Sequence, residues 1–385
     1  LIDDQGIISA VGTYHELHAA APDATISEVE GVLFPGFVDC HTHAVFGAAR
    51  LGDHERRARG TGYKEIAAAG GGILASVRDV RKRTIGELEA LLKQRLRALL
   101  ANGTTTVEVK SGYGLNLAAE RSQLEAIRGA AAVDAPSVAA TFLGAHEVPP
   151  EFREKPDEYL DIVINEMLPI VVKQKLAQFC DVFCEPSVFT VEQSRRVLQA
   201  AQRSGLRLKL HADELDPSGG AELAVELGAV SADHLAAISA NGVDALAAAD
   251  TIAVMLPGTM LFLGRRTQAP ARRLIDAGAA VALATDFNPG SSPGASLPLM
   301  TMLGVSQLHM VPAEAIVAIT VNGAAAVGLA ESRGQIAPGF RADLALARGH
   351  DWRELPYWYG VNLIGEVWVR GVPCLPRQWS LSSLG

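Results

Sequence analysis

What most constrains this chain is a rhythm: a short apolar run followed by a stretch long enough for a helix, repeated along most of its length. The runs fall at residues 34–40, 104–109, 138–143, 179–184, 206–211, 229–232, 251–255 and 279–285. Strands that alternate with helices return parallel to one another, because the crossover helix carries the chain back along the sheet. Eight such units close a parallel sheet on itself. The expected class is therefore α/β, a (β/α)8 TIM-type barrel. The intervening segments carry their own signals. Thr84 with Glu87 spells a capping box, Asn102-Gly103 a stop, and Leu88, Leu91, Leu92, Leu96, Leu99 and Leu100 an apolar face at helical spacing. Thr190 with Gln193 opens another helix. The long segment 47–84 after the first strand reads as an elaborate loop with helices, placed where barrel loops carry function.

The two ends break the rhythm. Residues 1–33 and 334–385 read as short strands and turns, and the expectation is a small β-sandwich domain built from both termini beside a barrel over 34–333. The first residues look like the middle of a hairpin turning at Asp3-Asp4-Gln5-Gly6, so strand material is expected ahead of Leu1.

Of the 385 residues, 49% are hydrophobic, ample for a large core. No apolar run of about 20 residues is present, which argues against a membrane-spanning helix. A net charge of −9 and the lack of any Lys/Arg-rich run argue against nucleic acid as a partner. Cys40, Cys180, Cys184 and Cys374 are too sparse for a disulfide framework and form no C-x-x-C pair, so a cytoplasmic location is expected.

The chemistry is concentrated where strands end. In Asp39-Cys40-His41-Thr42-His43 an extended chain puts His41 and His43 on one face and Cys40 on the other. An H-x-H alone is more often two ordinary histidines. Here three further groups end other predicted strands: His211 the fifth, His234 the sixth, Asp286 the eighth. Each alone has a bland reading, a satisfied core histidine or a helix cap. Together, at the C-terminal face where barrels hold their active sites, they read as ligands for Zn²⁺ or Fe²⁺.

This pattern resembles the amidohydrolase superfamily, with an H-x-H, histidines on the fifth and sixth strands and an eighth-strand aspartate. Closer motifs, "FPGFVDCHTHAVFGAAR", "EVKSGYGL", "FLGAHEVPPEF", "FCDVFCE", "LKLHADEL", "SADHL", "ATDFNPGSSP" and "TVNGAAAVGLA", resemble its imidazolonepropionase family over residues 25–370. The resemblance implies that His41, His43, His211 and Asp286 bind one divalent metal per chain, Zn or Fe. It implies that Arg50, Tyr113, His146, Glu214, Asn288, Gly290 and Ser291 line a pocket for an imidazolone ring with a propanoate tail. Its reaction is hydrolysis of 4-imidazolone-5-propanoate to N-formimino-L-glutamate in histidine degradation.

The residue types agree. Arg50 offers a bidentate fork to a carboxylate, although Arg56, Arg57 and Arg59 nearby keep a solvated surface arginine open. Tyr113 lies in Ser-Gly-Tyr-Gly, a loop where a phenol reaches a carboxylate. Asn288 and the following glycines can present backbone N–H groups to an anion. Glu214 reads either as a carboxylate near the reacting ring or as an early helix residue behind an Asp213 cap. The expected proton carriers are Glu214, His234 and Asp286. The fourth strand lacks the lysine that bridges two metals in binuclear relatives, so one metal is expected, with Glu185 the residue that would bridge a second ion. The expected partners are a small carboxylate-bearing substrate and a second copy in a homodimer. The alternatives are another cyclic amidohydrolase or deaminase on the same scaffold, and a non-catalytic homologue.

Overall fold

The computed structural model describes residues 1–374 except 63–64, 67–68 and 132–134; the last stretch of the expected terminal β domain, 375–385, lies outside the described residues. Eight parallel strands form one sheet in sequence order: β2 (Phe37–Asp39), β3 (Thr104–Lys110), β4 (Ser137–Ala145), β5 (Phe179–Cys184), β6 (Arg207–Ala212), β7 (Ser231–His234), β8 (Ile252–Met255) and β9 (Val281–Leu283). The strands are almost wholly buried, as a sheet covered by helices on one side and filled by its own side chains on the other must be. A second, four-stranded antiparallel sheet joins β1 (Val32–Pro35), β10 (Leu344–Ala347), β11 (Ile364–Val369) and β12 (Val372–Pro373).

The apolar run at 34–40 is thus two strands. β1 belongs to the terminal sheet and β2 to the barrel, with the break at Gly36, whose N–H donates to Asp343 O (2.7 Å). A side chain at Gly36 would overlap that of Thr105, so only glycine lets the chain pass from one sheet to the other.

The sandwich expected from the termini is found, among the described residues, as one sheet with isolated bridges at Ile2–Ile8 and Ile7–Arg341. A facing sheet needs a second apolar face, and residues 9–31 contain no buried residue. Part of that stretch is instead a helix, Tyr14–Ala20, opened by a Thr13/Glu16 capping box. The helices Ile85–Ala101 and Val191–Arg203 carry the boxes at Thr84/Glu87 and Thr190/Gln193 that their sequences spell.

The barrel closes between β2 and β9 by side chain and by main chain. Thr285 donates N–H and Oγ1–H to the two Asp39 carboxylate oxygens (3.1 and 2.6 Å). Just beyond, Asp286 N–H donates to His41 O and His43 N–H to Phe287 O, both at 3.0 Å. This seam sets the H-x-H alongside the residues that follow the last strand.

Candidate active site

His41 and His43 are buried at the seam, and Asp286 is carried to them by the main-chain pairing just described. Asp286 Oδ1 lies 3.7 Å from His41 Nε2 and 3.6 Å from His43 Nε2, while Thr259 Oγ1 donates to Oδ2 (2.6 Å). His211, on β6, faces His43 with the two Nε2 atoms 3.3 Å apart. The His234 ring, at the end of β7, is 5.3 Å from that of His41 and 5.2 Å from that of His211. His234 is the last residue of β7. Asp213, His234, Leu235 and Asp286 all have left-handed backbones, φ between 49° and 80°, so strain gathers where the strands deliver these groups.

Beneath the imidazoles lies a layer of buried charge that strand periodicity alone does not reveal. Asp233 Oδ2 is 2.6 Å from His41 Nδ1, and Asp181 Oδ2 is 2.9 Å from His211 Nδ1. Lys110 joins them, its Nζ 2.7 Å from Asp181, 2.8 Å from Glu108 and 3.5 Å from Asp233. Lys209 donates to the carbonyls of Cys40 and Ala326 (3.2 and 3.1 Å). All five ionisable side chains are fully buried, which is tolerable only because each is paired. Burial would raise the Asp181 carboxyl, but His211 and Lys110 hold it well below the usual carboxylate range. Burial and the Lys110 charge push His41 well below the ordinary imidazole value, so it is neutral with a lone pair to give. With Asp233 at Nδ1, that lone pair is on Nε2, the atom facing the cluster. The sequence signal was present: Glu108, Lys110, Asp181, Lys209 and Asp233 are ionisable residues inside runs that otherwise read as buried strands.

Four held loops make the rim. After His43, the buried Arg95 donates to the carbonyls of Ala44, Phe46 and Gly47 and lies over the Phe46 ring, while Gln123 donates to Val45 O. Arg50 then opens the helix Leu51–Ala58. Among the described residues its buried Nε has no acceptor within hydrogen-bond range, and Asp53 Oδ2 is 3.7 Å away. Arg56 and Arg59 are exposed, and Arg57 donates to Gly290 O (3.0 Å). Arg50 packs against Gly290, where any side chain would overlap its guanidinium.

Tyr113 is buried, and its loop is tied down by side chains. Glu120 accepts the N–H groups of Gly112, Gly114 and Leu115, and Gln123 that of Tyr113. The His146 ring stacks on that of His43 at 4.9 Å with its Nδ1 2.9 Å from Gly112 O, and burial takes its pKa to about 3. The N–H groups of Gly290 and Ser291 both donate to Asn288 Oδ1 at 2.8 Å. They are already satisfied, so the expectation that they face an anion is corrected: this turn shapes a wall against Arg50.

Glu214 follows β6 in a turn, and the next helix begins at Gly220, so it is not a helix residue. Its Oε2 lies 3.5 Å from His234 Nδ1. Burial raises the Glu214 carboxyl and lowers His234 to about 4. Asp213 caps that next helix from a distance, accepting N–H from Ser218, Gly219, Gly220 and Ala221. Glu185 reaches into the same turn, where it accepts the N–H groups of Glu214 (2.6 Å), Leu215 (2.9 Å) and Asp216 (3.3 Å).

The donor set fits a divalent transition metal. Ligand atoms of His41, His43 and Asp286, of His41, His211 and His234, and of His43, His146 and His211 lie within 4.8 Å of one another in each group. Among the described residues His41 Nε2 is buried without a hydrogen-bond partner, as a coordinating nitrogen needs to be.

The model of the amidohydrolase family matches residues 32–372. Imidazolonepropionase from Herpetosiphon aurantiacus is 45% identical over 369 residues, 94% of this chain and 86% of that protein. Imidazolonepropionase from Geobacillus kaustophilus is 47% identical over 364 residues, 93% and 86% of the two chains. The chain belongs to the imidazolonepropionase family. Solved structures share the amidohydrolase fold at lower identity: a triazine hydrolase variant superposes with a TM-score of 0.76 at 18% identity, covering 97% of this chain and 89% of that one. Guanine deaminase from C. acetobutylicum gives 0.67 at 15% identity, over 96% and 93%. Amidohydrolases depend on metal, and in this imidazolonepropionase-family chain the His/Asp cluster is the set of residues able to hold it.

Proposed function

We propose that the protein hydrolyses the cyclic amide bond of 4-imidazolone-5-propanoate to N-formimino-L-glutamate, a step of histidine degradation. The observation that carries this reading is the Arg50 guanidinium, packed against the Gly290 turn that follows Asp286, with Asp53 3.7 Å from its Nε and, among the described residues, no hydrogen-bonded acceptor there. A neutral ring has no use for such a cation, whereas a propanoate tail does.

His41, His43, His211 and Asp286 would hold one Zn²⁺ or Fe²⁺ ion per chain. When bound, the metal supplies Lewis acidity, which polarises a carbonyl and makes water more acidic. The chain's own residues do the rest. Arg50 and Tyr113 take the carboxylate and fix the ring's orientation over the imidazoles. His146, stacked on His43 and neutral, walls the ring on one side. Glu214, raised by burial and beside His234, takes a proton from the attacking water. The water oxygen bonds to the ring carbonyl carbon, the carbon–nitrogen bond breaks, and Glu214 returns the proton to the leaving nitrogen. His234, neutral at its lowered pKa and 3.5 Å from Glu214, is a second acceptor for that proton. Asp286 has one oxygen engaged by Thr259, leaving one toward the cluster.

Ultraviolet-monitored turnover of imidazolone propanoate against a panel of cyclic amides and imides tests the reading. The propanoate substrate should lead the panel in kcat/KM. A neutral cyclic amide or a nucleobase turned over faster would overturn it.

A further inference from the structure

Glu214 has to be placed accurately, yet its side chain does little to place itself. Among the described residues its carboxylate makes one polar contact, 3.5 Å to His234 Nδ1, longer than a hydrogen bond. Its position is therefore set by its backbone. That backbone leaves β6 through Asp213, whose φ of 49° is left-handed, and enters a turn with no regular hydrogen-bond ladder. Something else must satisfy the amides there.

A single side chain does so. Glu185, just beyond the end of β5 and 0% exposed, accepts three consecutive N–H groups. Its Oε1 takes Glu214 (2.6 Å) and Leu215 (2.9 Å), and its Oε2 takes Asp216 (3.3 Å). The far end of the turn is tied to Asp213, which accepts the amides of Ser218 through Ala221. The two carboxylates divide the turn between them, and Glu185 holds the half that carries Glu214. Charged acceptors of N–H groups make the stronger class of hydrogen bond, and three on one side chain fix a rotation as well as a distance.

We propose that Glu185 is a positioning residue for Glu214, fixing the peptide from which the Glu214 carboxylate reaches the reacting ring. This role rests on the proton transfer assigned to Glu214 above. Among the described residues Glu185 belongs to none of the groups able to hold a metal, and its oxygens are engaged by amides rather than turned to a second ion.

Four variants of the metal-loaded protein test this: Glu185→Ala, Glu185→Gln, Glu214→Gln, and Glu185→Ala with Glu214→Gln. Displacing a catalytic group by about 1 Å costs on the order of 100-fold. Glu185→Ala should therefore lower kcat by roughly 10- to 100-fold, with a smaller change in KM and full metal content. Glu185→Gln keeps a carbonyl for the Glu214 and Leu215 amides and should recover part of the loss. The double variant should be no slower than Glu214→Gln alone, because a residue that acts through Glu214 has nothing left to place. Multiplying effects, or loss of metal in Glu185→Ala, would overturn the proposal.

Hydrogen exchange, which needs no substrate, should show faster exchange at amides 214–216 in Glu185→Ala and unchanged rates in the barrel strands; unchanged exchange at 214–216 would equally overturn it. If Glu185→Ala does not fold, the same cycle and exchange measurement are made with Glu185→Gln. A wild type that hydrolyses some other cyclic amide would sink the substrate assignment alone, and the cycle is then read on that compound.

Discussion

Asp233 Oδ2 approaches His41 Nδ1 to 2.6 Å, while Asp233 Oδ1 accepts the Ser231 hydroxyl at 2.6 Å. The carboxylate is held from its own strand and in turn holds the ring on another. Losing such a partner typically costs about 10- to 100-fold in metal affinity. Asp233→Asn should therefore bind Zn²⁺ about 10- to 100-fold more weakly in competition with a chromophoric chelator. An affinity equal to wild type would mean that packing alone orients His41.

Stripping the metal with a chelator should abolish turnover, and one equivalent of Zn²⁺ or Fe²⁺ per chain should restore it. The stripped protein should also melt at a lower temperature, since a ligand that binds only the folded state stabilises it. Elemental analysis giving two equivalents, both required for turnover, would refute a single site.

Arg50→Met should raise KM for the propanoate substrate with a smaller loss in kcat, because the tail it holds does not react. A lost charge-assisted hydrogen bond costs about 1.5–3 kcal/mol, or roughly 10- to 100-fold. Gly290→Ala should do much the same by a different route, because the new methyl occupies the space of the Arg50 guanidinium. Steady-state kinetics of both variants and of the pair decide this. An Arg50→Met enzyme with the wild-type KM would remove the carboxylate clamp.

Glu214→Gln keeps the shape and removes the base. It should depress kcat far more than KM while metal content stays at wild type. Turnover within a few-fold of wild type would leave His234 and Asp286 as the proton carriers.

His41 and His43 were legible because an extended chain alternates faces, and His211, His234 and Asp286 because each ends an apolar run. The layer below was not. "TTTVEVK" and "FCDVFC" say that charged residues sit in strands, but only the staggered register of β3, β5, β6 and β7 shows that Lys110 meets Asp181 and Asp233. The helix Tyr14–Ala20 was missed for a different reason. Its Thr13/Glu16 box is readable, but it buries nothing, so no apolar stripe accompanies the cap. The split at Gly36 was hidden because two strands of different sheets run on as one apolar stretch. Glu185 looked like a candidate ligand because a sequence shows where a carboxylate is, not which amides have already claimed it.

The seam between β2 and β9 has a consequence for assembly. Asp39 and Thr285 are 246 positions apart, and the same seam brings His41 to Asp286. In an open sheet the first strand, with His41 and His43, lies four strands from β6 and seven from β9, so the four expected ligands meet only when β2 joins β9. Joining ends so distant is the slow, high-entropy part of folding such a chain. Full-affinity metal capture is thereby tied to the last closure: during refolding, the ion reports the moment the ring of strands shuts.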